Sequence, residues 1–148
     1  MVEKRYKKFF VMLIISFFIM YVVMFLNVDS LNHIYFSMTR FYMALLMVAP
    51  MGIIMLFMMK GRFNNKRLNR IILISGIVIF ILALVFLRTQ TFIQDEQYIK
   101  AMIPHHSSAI LTSQEAEINN YEVKNLSKEI IKTQKREINL MKELLNKI

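Results

Sequence analysis

Three stretches without a single charged residue, Phe9 to Leu26, Phe41 to Met59 and Ile71 to Leu87, limit the fold of this chain more than any other feature. Each lies close to the roughly 17 to 25 apolar residues that a helix needs to cross a hydrocarbon core. Backbone amides inside that core have to be satisfied within the segment, so each run is expected to be an α-helix. Hydrophobic residues make up 56% of the 148, more than a water-soluble domain of this size carries. The expected fold class is therefore all-α. A three-helix transmembrane module over residues 1–90 is followed by a helical domain over residues 91–148.

The formal net charge of +9 points toward nucleic acid until its location is considered. Lys4, Arg5, Lys7 and Lys8 precede the first run, and Lys60, Arg62, Lys66, Arg67 and Arg70 lie between the second and third. The intervening segment from Asn27 to Arg40 sets only Arg40 against Asp29, and the chain after the third run balances nine basic residues with eight acidic ones. This is the positive-inside pattern. It places the N-terminus inside and the C-terminal domain outside. No nucleic-acid partner is expected, because topology accounts for the basic clusters, and the lipid bilayer is the partner they imply. The first run resembles a signal peptide but is long and is followed by no small-residue cleavage site, so it reads as a retained anchor.

Beyond Gln94 the chain has no glycine and one proline, Pro104, which favours helices over strands and tight turns. One helix is expected from about Gln94 to Ile118 and a second from about Glu122 to Lys147. The break falls at Asn119-Asn120, a natural cap for the second helix. Val123, Leu126, Ile130, Ile131, Ile138, Met141, Leu144 and Leu145 give the second helix one apolar face. An antiparallel hairpin turning near Asn120 pairs positions whose numbers sum to roughly 241, good to about one helical turn. That register brings Met102, His105, His106, Glu137 and Met141 to one level. Two helices do not enclose a core, so the hairpin is expected to complete a bundle as a homo-oligomer or to pack on another surface.

The segment Met102-Ile103-Pro104-His105-His106 concentrates soft and borderline metal ligands. On a helix, Met102 lies three and four residues before the two imidazoles and so shares a face with both. Pro104 removes a backbone donor and frees the carbonyl of Lys100, so the helix is expected to kink or restart here. The chain has no cysteine, hence no thiolate site and no disulfide. Thioether and imidazole favour Cu(I) or Ag(I); adding the Glu137 carboxylate moves the preference toward Cu(II), Ni(II) or Zn(II). The plainer alternative is that Met102 and Met141 fill a core while the histidines face solvent or bond to the other helix.

Met102 to Ile110, followed by Glu129 to Met141 with its pattern "EII..Q..EI..M", resembles the bacterial "domain of unknown function 305" family, for which "MIPHH..AI" is a recurring signature. The likeness covers about Asp95 to Leu145. His33 to Met38 and Tyr42 to Met47 are similar to the members anchored by N-terminal transmembrane helices. The resemblance implies a ferritin-like helical fold and extracytoplasmic copper or silver binding through Met102, His105, His106 and Met141. Many members carry methionine where this chain has Thr112, a departure that weakens a soft-metal site.

Met43, Met47, Met51, Met55 and Met59 recur every four residues along the second run. Stacked thioethers of this kind suit either a Cu(I) conduit or adaptable packing against neighbouring helices. Pro50 and Gly52 suggest a kink in the same run. His33, Met38 and Met43, on the outer side, form a candidate accessory metal site, with Met47 and Met51 of the stripe as further candidate ligands. No nucleophile with a paired base, phosphate loop or close carboxylate pair is present, and no glutamate stands three residues before either His105 or His106, so an enzyme is not expected. Three readings remain: a membrane protein that sequesters copper or silver or hands it over, an oligomerising scaffold without metal, and a Cu(I) conduit. A pH sensor at His105 and His106 rests only on their titration range.

Overall fold

The computed structural model describes residues 2–59 and 61–148; Lys60, one of the basic loop residues, lies outside them. Among the described residues the chain is all-helical. It has five α-helices, α1 (Val2–Val23), α2 (Met38–Met58), α3 (Lys66–Thr89), α4 (Asp95–Glu115) and α5 (Tyr121–Leu145), with a 3-10 turn at Leu31–His33 and no strand. Helices α1, α2 and α3 are each long and apolar enough to cross a membrane. The chain divides into two compact units.

The first unit comprises residues 1–23 and 39–92. Its core gathers Tyr6 and Phe9 of α1, Leu56 of α2, Phe63 of the following loop and Ile72 of α3. Two glycines bring the helices close. A Cβ at Gly52 would stand 3.2 Å from Leu13 of α1, and one at Gly76 would stand 3.0 Å from Ile53 of α2. Small residues at such crossings let backbones approach where lipid supplies no hydrophobic drive. The α2–α3 loop is fastened by Tyr6, whose hydroxyl lies 2.6 Å from Asn69 Oδ1, and Asn69 in turn donates to the Phe63 carbonyl. Asn65 caps α3 by accepting from the Leu68 amide. At the other end α3 closes on Gln90 in the left-handed conformation, its amide bonded to the Phe86 carbonyl.

Helix α2 continues through Pro50 and α4 through Pro104, so α4 does not restart at its proline. The methionine row on α2 does not keep one environment. Met43 and Met47 are exposed, whereas Met55 and Met59 pack against the Phe9–Leu56 core.

The second unit comprises residues 24–38 and 93–148. Division at residue 90 assigns residues 24–38 to the membrane module; the structure groups them with the C-terminal helices. Helices α4 and α5 pack together around Ile99, Ile103, Ile110 and Ile138, with Tyr35, Ile131, Met141 and Leu145 against this core. Ile103 and Ile110 are 0% exposed. Helix α4 ends at Glu115, three residues short of the expected Ile118, and its closing amide bond runs from Ala116 to Thr112.

Candidate functional site

The register of α4 on α5 comes from apolar spacing and one cap. Asn120 accepts from the Val123 amide and starts α5. The Ser127 hydroxyl then donates to the Ser113 carbonyl at 2.8 Å, and farther along His106 Nε2 meets Glu137 Oε2 at 2.9 Å. Residue numbers thus fall on α4 as they rise on α5, with Ile110 buried between these contacts on α4 and Ile138 buried just past the second on α5.

His106 is held at both nitrogens. Its Nδ1 lies 2.9 Å from the Met102 carbonyl oxygen, one turn back, while Nε2 faces the Glu137 carboxylate. The Met102 carbonyl only accepts, so Nδ1 donates to it, and Nε2 is left to share a hydrogen bond with the Glu137 carboxyl group. The side chains are 12% and 38% exposed, respectively, leaving the contact open from the glutamate side. His105 is exposed, and its ring stands edge-on to His106 with centroids 6.1 Å apart.

The structure therefore brings His106 and Glu137 into contact, leaves His105 beside them on the exposed side of α4, and divides the thioethers between settings. Met141 packs against the isoleucine core, and Met102 is half-buried. Thr112 Oγ1 donates to the carbonyls of Ser108 and Ala109, so it closes on its own helix. Among the described residues no group of three or more His, Cys, Asp or Glu side chains could hold a metal ion. The donor chemistry nevertheless fits a single ion at His106 Nε2. There the ion would displace a proton and keep Glu137 as ligand or counter-charge, with a thioether needed to make the site soft.

A second polar cluster in the same unit joins His33, a candidate accessory ligand, to serines and loop residues that carried no functional reading from the sequence. Ser107, 0% exposed, accepts from the Asp29 amide at 2.8 Å and lies 2.9 Å from His33 Nδ1. Ser107 Oγ and His33 Nδ1 share a hydrogen bond whose direction follows the His33 tautomer. Burial holds the His33 imidazole below its ordinary range; the nearby Lys142 ammonium adds to this and Asp29 opposes it. Beside it Asn27 Nδ2 donates to Ser108 Oγ at 2.7 Å, and the Met38 amide donates to Gln97 Oε1. The serines directly after the histidine pair thus fasten residues 27–33 onto α4. Two adjacent hydroxyls on a helix, with Asn27 and Asp29 in a short loop, were the available signal.

Of the proposed accessory residues, His33 and Met38 belong to this unit, whereas Met43, Met47 and Met51 belong to the first. His33 is already engaged with Ser107.

A family model described as a domain of unknown function (DUF305) matches residues 83–145. An uncharacterized protein, L153, of Acanthamoeba polyphaga mimivirus is 38% identical over 120 residues, covering 80% of this chain and 77% of that protein. No solved structure matches the chain significantly. The family match spans α4, α5 and every residue of the His106–Glu137 contact, and with the long match to the viral relative it establishes that the chain belongs to the DUF305 family.

Proposed function

We propose that this chain is an integral protein of a bacterial plasma membrane that displays a Met/His site on its extracytoplasmic α4–α5 hairpin and binds copper or silver there for sequestration, tolerance or handover. It binds rather than catalyses. The observation that carries this reading is the approach of His106 Nε2 to Glu137 Oε2, two candidate ligands from positions 31 residues apart, with exposed His105 adjacent in sequence. Met102, one turn before His106, is the nearest thioether in sequence and gives the site its softness. Met141 joins only by leaving the core. The charge asymmetry of the flanking segments supports an inside N-terminus and an outside hairpin.

The hairpin is expected to complete a four-helix bundle with a second copy. Leu126, Leu140 and Leu144, all exposed at helical spacing on α5, support such an interface. Chemical crosslinking in detergent should yield a dimer that Leu140→Glu abolishes; a monomeric parent would remove this part of the proposal.

The test of metal binding is a titration of the full chain with Cu(I), Ag(I), Cu(II) and Zn(II) against a competing chelator, repeated with His105→Ala/His106→Ala. Tight, soft-selective binding lost in the double variant is the expected result. Weak or unselective binding, or binding indifferent to the substitutions, refutes it.

One observation favours a second reading, in which the chain is a structural protein without metal. Both His106 nitrogens already have partners, so the residue also serves as a clamp between α4 and α5. In that case Glu137→Gln lowers stability and changes no metal affinity.

A further inference from the structure

The first unit contains a cleft of about 400 Å³ whose two sides differ sharply in character. Its rim carries Lys4, Arg5 and Lys8 from α1 and Arg62 from the α2–α3 loop. Its floor is apolar and includes the thioether side chains of Met12, Met55 and Met59. The volume lies within the roughly 300–1,000 Å³ of ligand pockets.

Among the described side chains no carboxylate pairs with the rim. Arg5 Nη1 donates to the Arg62 carbonyl at 3.2 Å, which ties two cationic segments together, and among the described residues the ion pairs involve none of the four rim cations. Between residues 4 and 94 the sequence has one acidic residue, Asp29, and it belongs to the other unit. Four gathered cations of like sign repel unless an anion sits among them.

The position of the cleft selects the anion. Lys8 directly precedes the charge-free run that begins at Phe9, and Arg62 follows the run that ends at Met59, so rim and floor straddle the start of the apolar segments. At that depth a phospholipid presents its phosphate to the rim and its acyl chain to the floor, and basic pockets between transmembrane helices suit anionic headgroups. A soluble anion satisfies the rim but not the methionine floor.

We infer that this cleft is a specific site for one phospholipid of net negative headgroup, drawn from the surrounding leaflet. Lys8 and Arg62 pair with the phosphate, and Met12, Met55 and Met59 receive the acyl chain. The inference rests on reading α1 to α3 as bilayer-spanning and is independent of metal binding.

The test is native mass spectrometry of the full-length, delipidated protein in an uncharged detergent, titrated with phosphatidylglycerol or with phosphatidylcholine of the same acyl chains. One phosphatidylglycerol should bind per chain with about tenfold preference, from roughly 1 kcal/mol per basic residue near a headgroup. Lys8→Gln/Arg62→Gln should abolish the preference. Lys66→Gln/Arg67→Gln, which removes equal charge outside the cleft lining, should keep it. Because Arg62 lies in the bonded loop, Lys8→Gln alone provides a second variant at an exposed side chain and should lower the preference severalfold. Equal loss in the control variant, no preference in the parent, or displacement by inorganic phosphate each overturns the site. An alkaline carbonate wash separates the two levels: protein released from membranes defeats the spanning reading itself, whereas protein retained without lipid preference defeats only the site.

Discussion

Helices α1 to α3 carry large apolar side chains outward, with Ile14, Phe18 and Ile19 more than half exposed, whereas α4 and α5 turn isoleucines inward until Ile103 and Ile110 are fully covered. The same element thus faces opposite surroundings within one chain. In the first unit association rests on close approach at Gly52 and Gly76, as expected where lipid is as apolar as the side chains. In the second a small hydrophobic core is framed by polar contacts, the His106–Glu137 pair on one side and the Ser107 cluster on another. The basic residues of the first unit gather mainly at the start of α1 and around the α2–α3 loop, whereas the second unit spreads charges of both signs along its helices.

The largest test of this contrast removes a core side chain. Ile103→Ala should cost about 2–5 kcal/mol, read as lost hydrogen-exchange protection across α4 and α5 in the full chain. Phe18→Ala, at an outward-facing position, should leave that protection unchanged. Equal losses would erase the distinction between the units. Next in size is Ser107→Ala, which strands the Asp29 amide and His33 Nδ1 and should cost about 1–3 kcal/mol. Faster exchange or proteolysis confined to residues 24–38 would mark it; unaltered rates there would show that the hydroxyl does not fasten this segment. Glu137→Gln keeps an acceptor but removes the charge, so without metal its effect should stay below about 1 kcal/mol.

The smallest expected effect is on pH. His33 has a folded-state affinity for protons below that of the unfolded chain, so as pH falls through about 6.5 the unfolded state protonates first and stability drops. Above that value both states are neutral at this residue and its contribution is complete. The melting temperature should fall between pH 7.5 and 5.5, and the fall should be smaller in His33→Gln. An undiminished fall would place the linkage at other groups.

Much of the fold could be read in the sequence because it follows from local rules. Charge-free runs identified α1 to α3, and Asn120 was recognisable as the cap of α5. Their ends were less legible: α1 begins at Val2 because Lys4 to Lys8 continue the helix beyond the apolar run, and it ends at Val23 before the run does. Glu137 could be matched to His106 because turn position and helical spacing fix register to about one turn. The attachment of Asn27, Asp29 and His33 to Ser107 and Ser108 was illegible, since it joins residues more than 70 positions apart without any periodic pattern. The packing of Met141 against the isoleucine core depends on which way an amphipathic helix rotates to cover Ile138, and spacing alone does not fix that rotation.

The most direct test of the proposed metal centre is copper X-ray absorption on the full chain loaded with one equivalent of Cu(I), compared with His106→Ala. Imidazole scattering with a sulfur shell, the imidazole contribution falling in the variant, would place the ion at His106 beside a thioether. A spectrum of solvent or buffer ligands alone, identical in parent and variant, would contradict a metal role and leave His106 and Glu137 as a clamp between two helices.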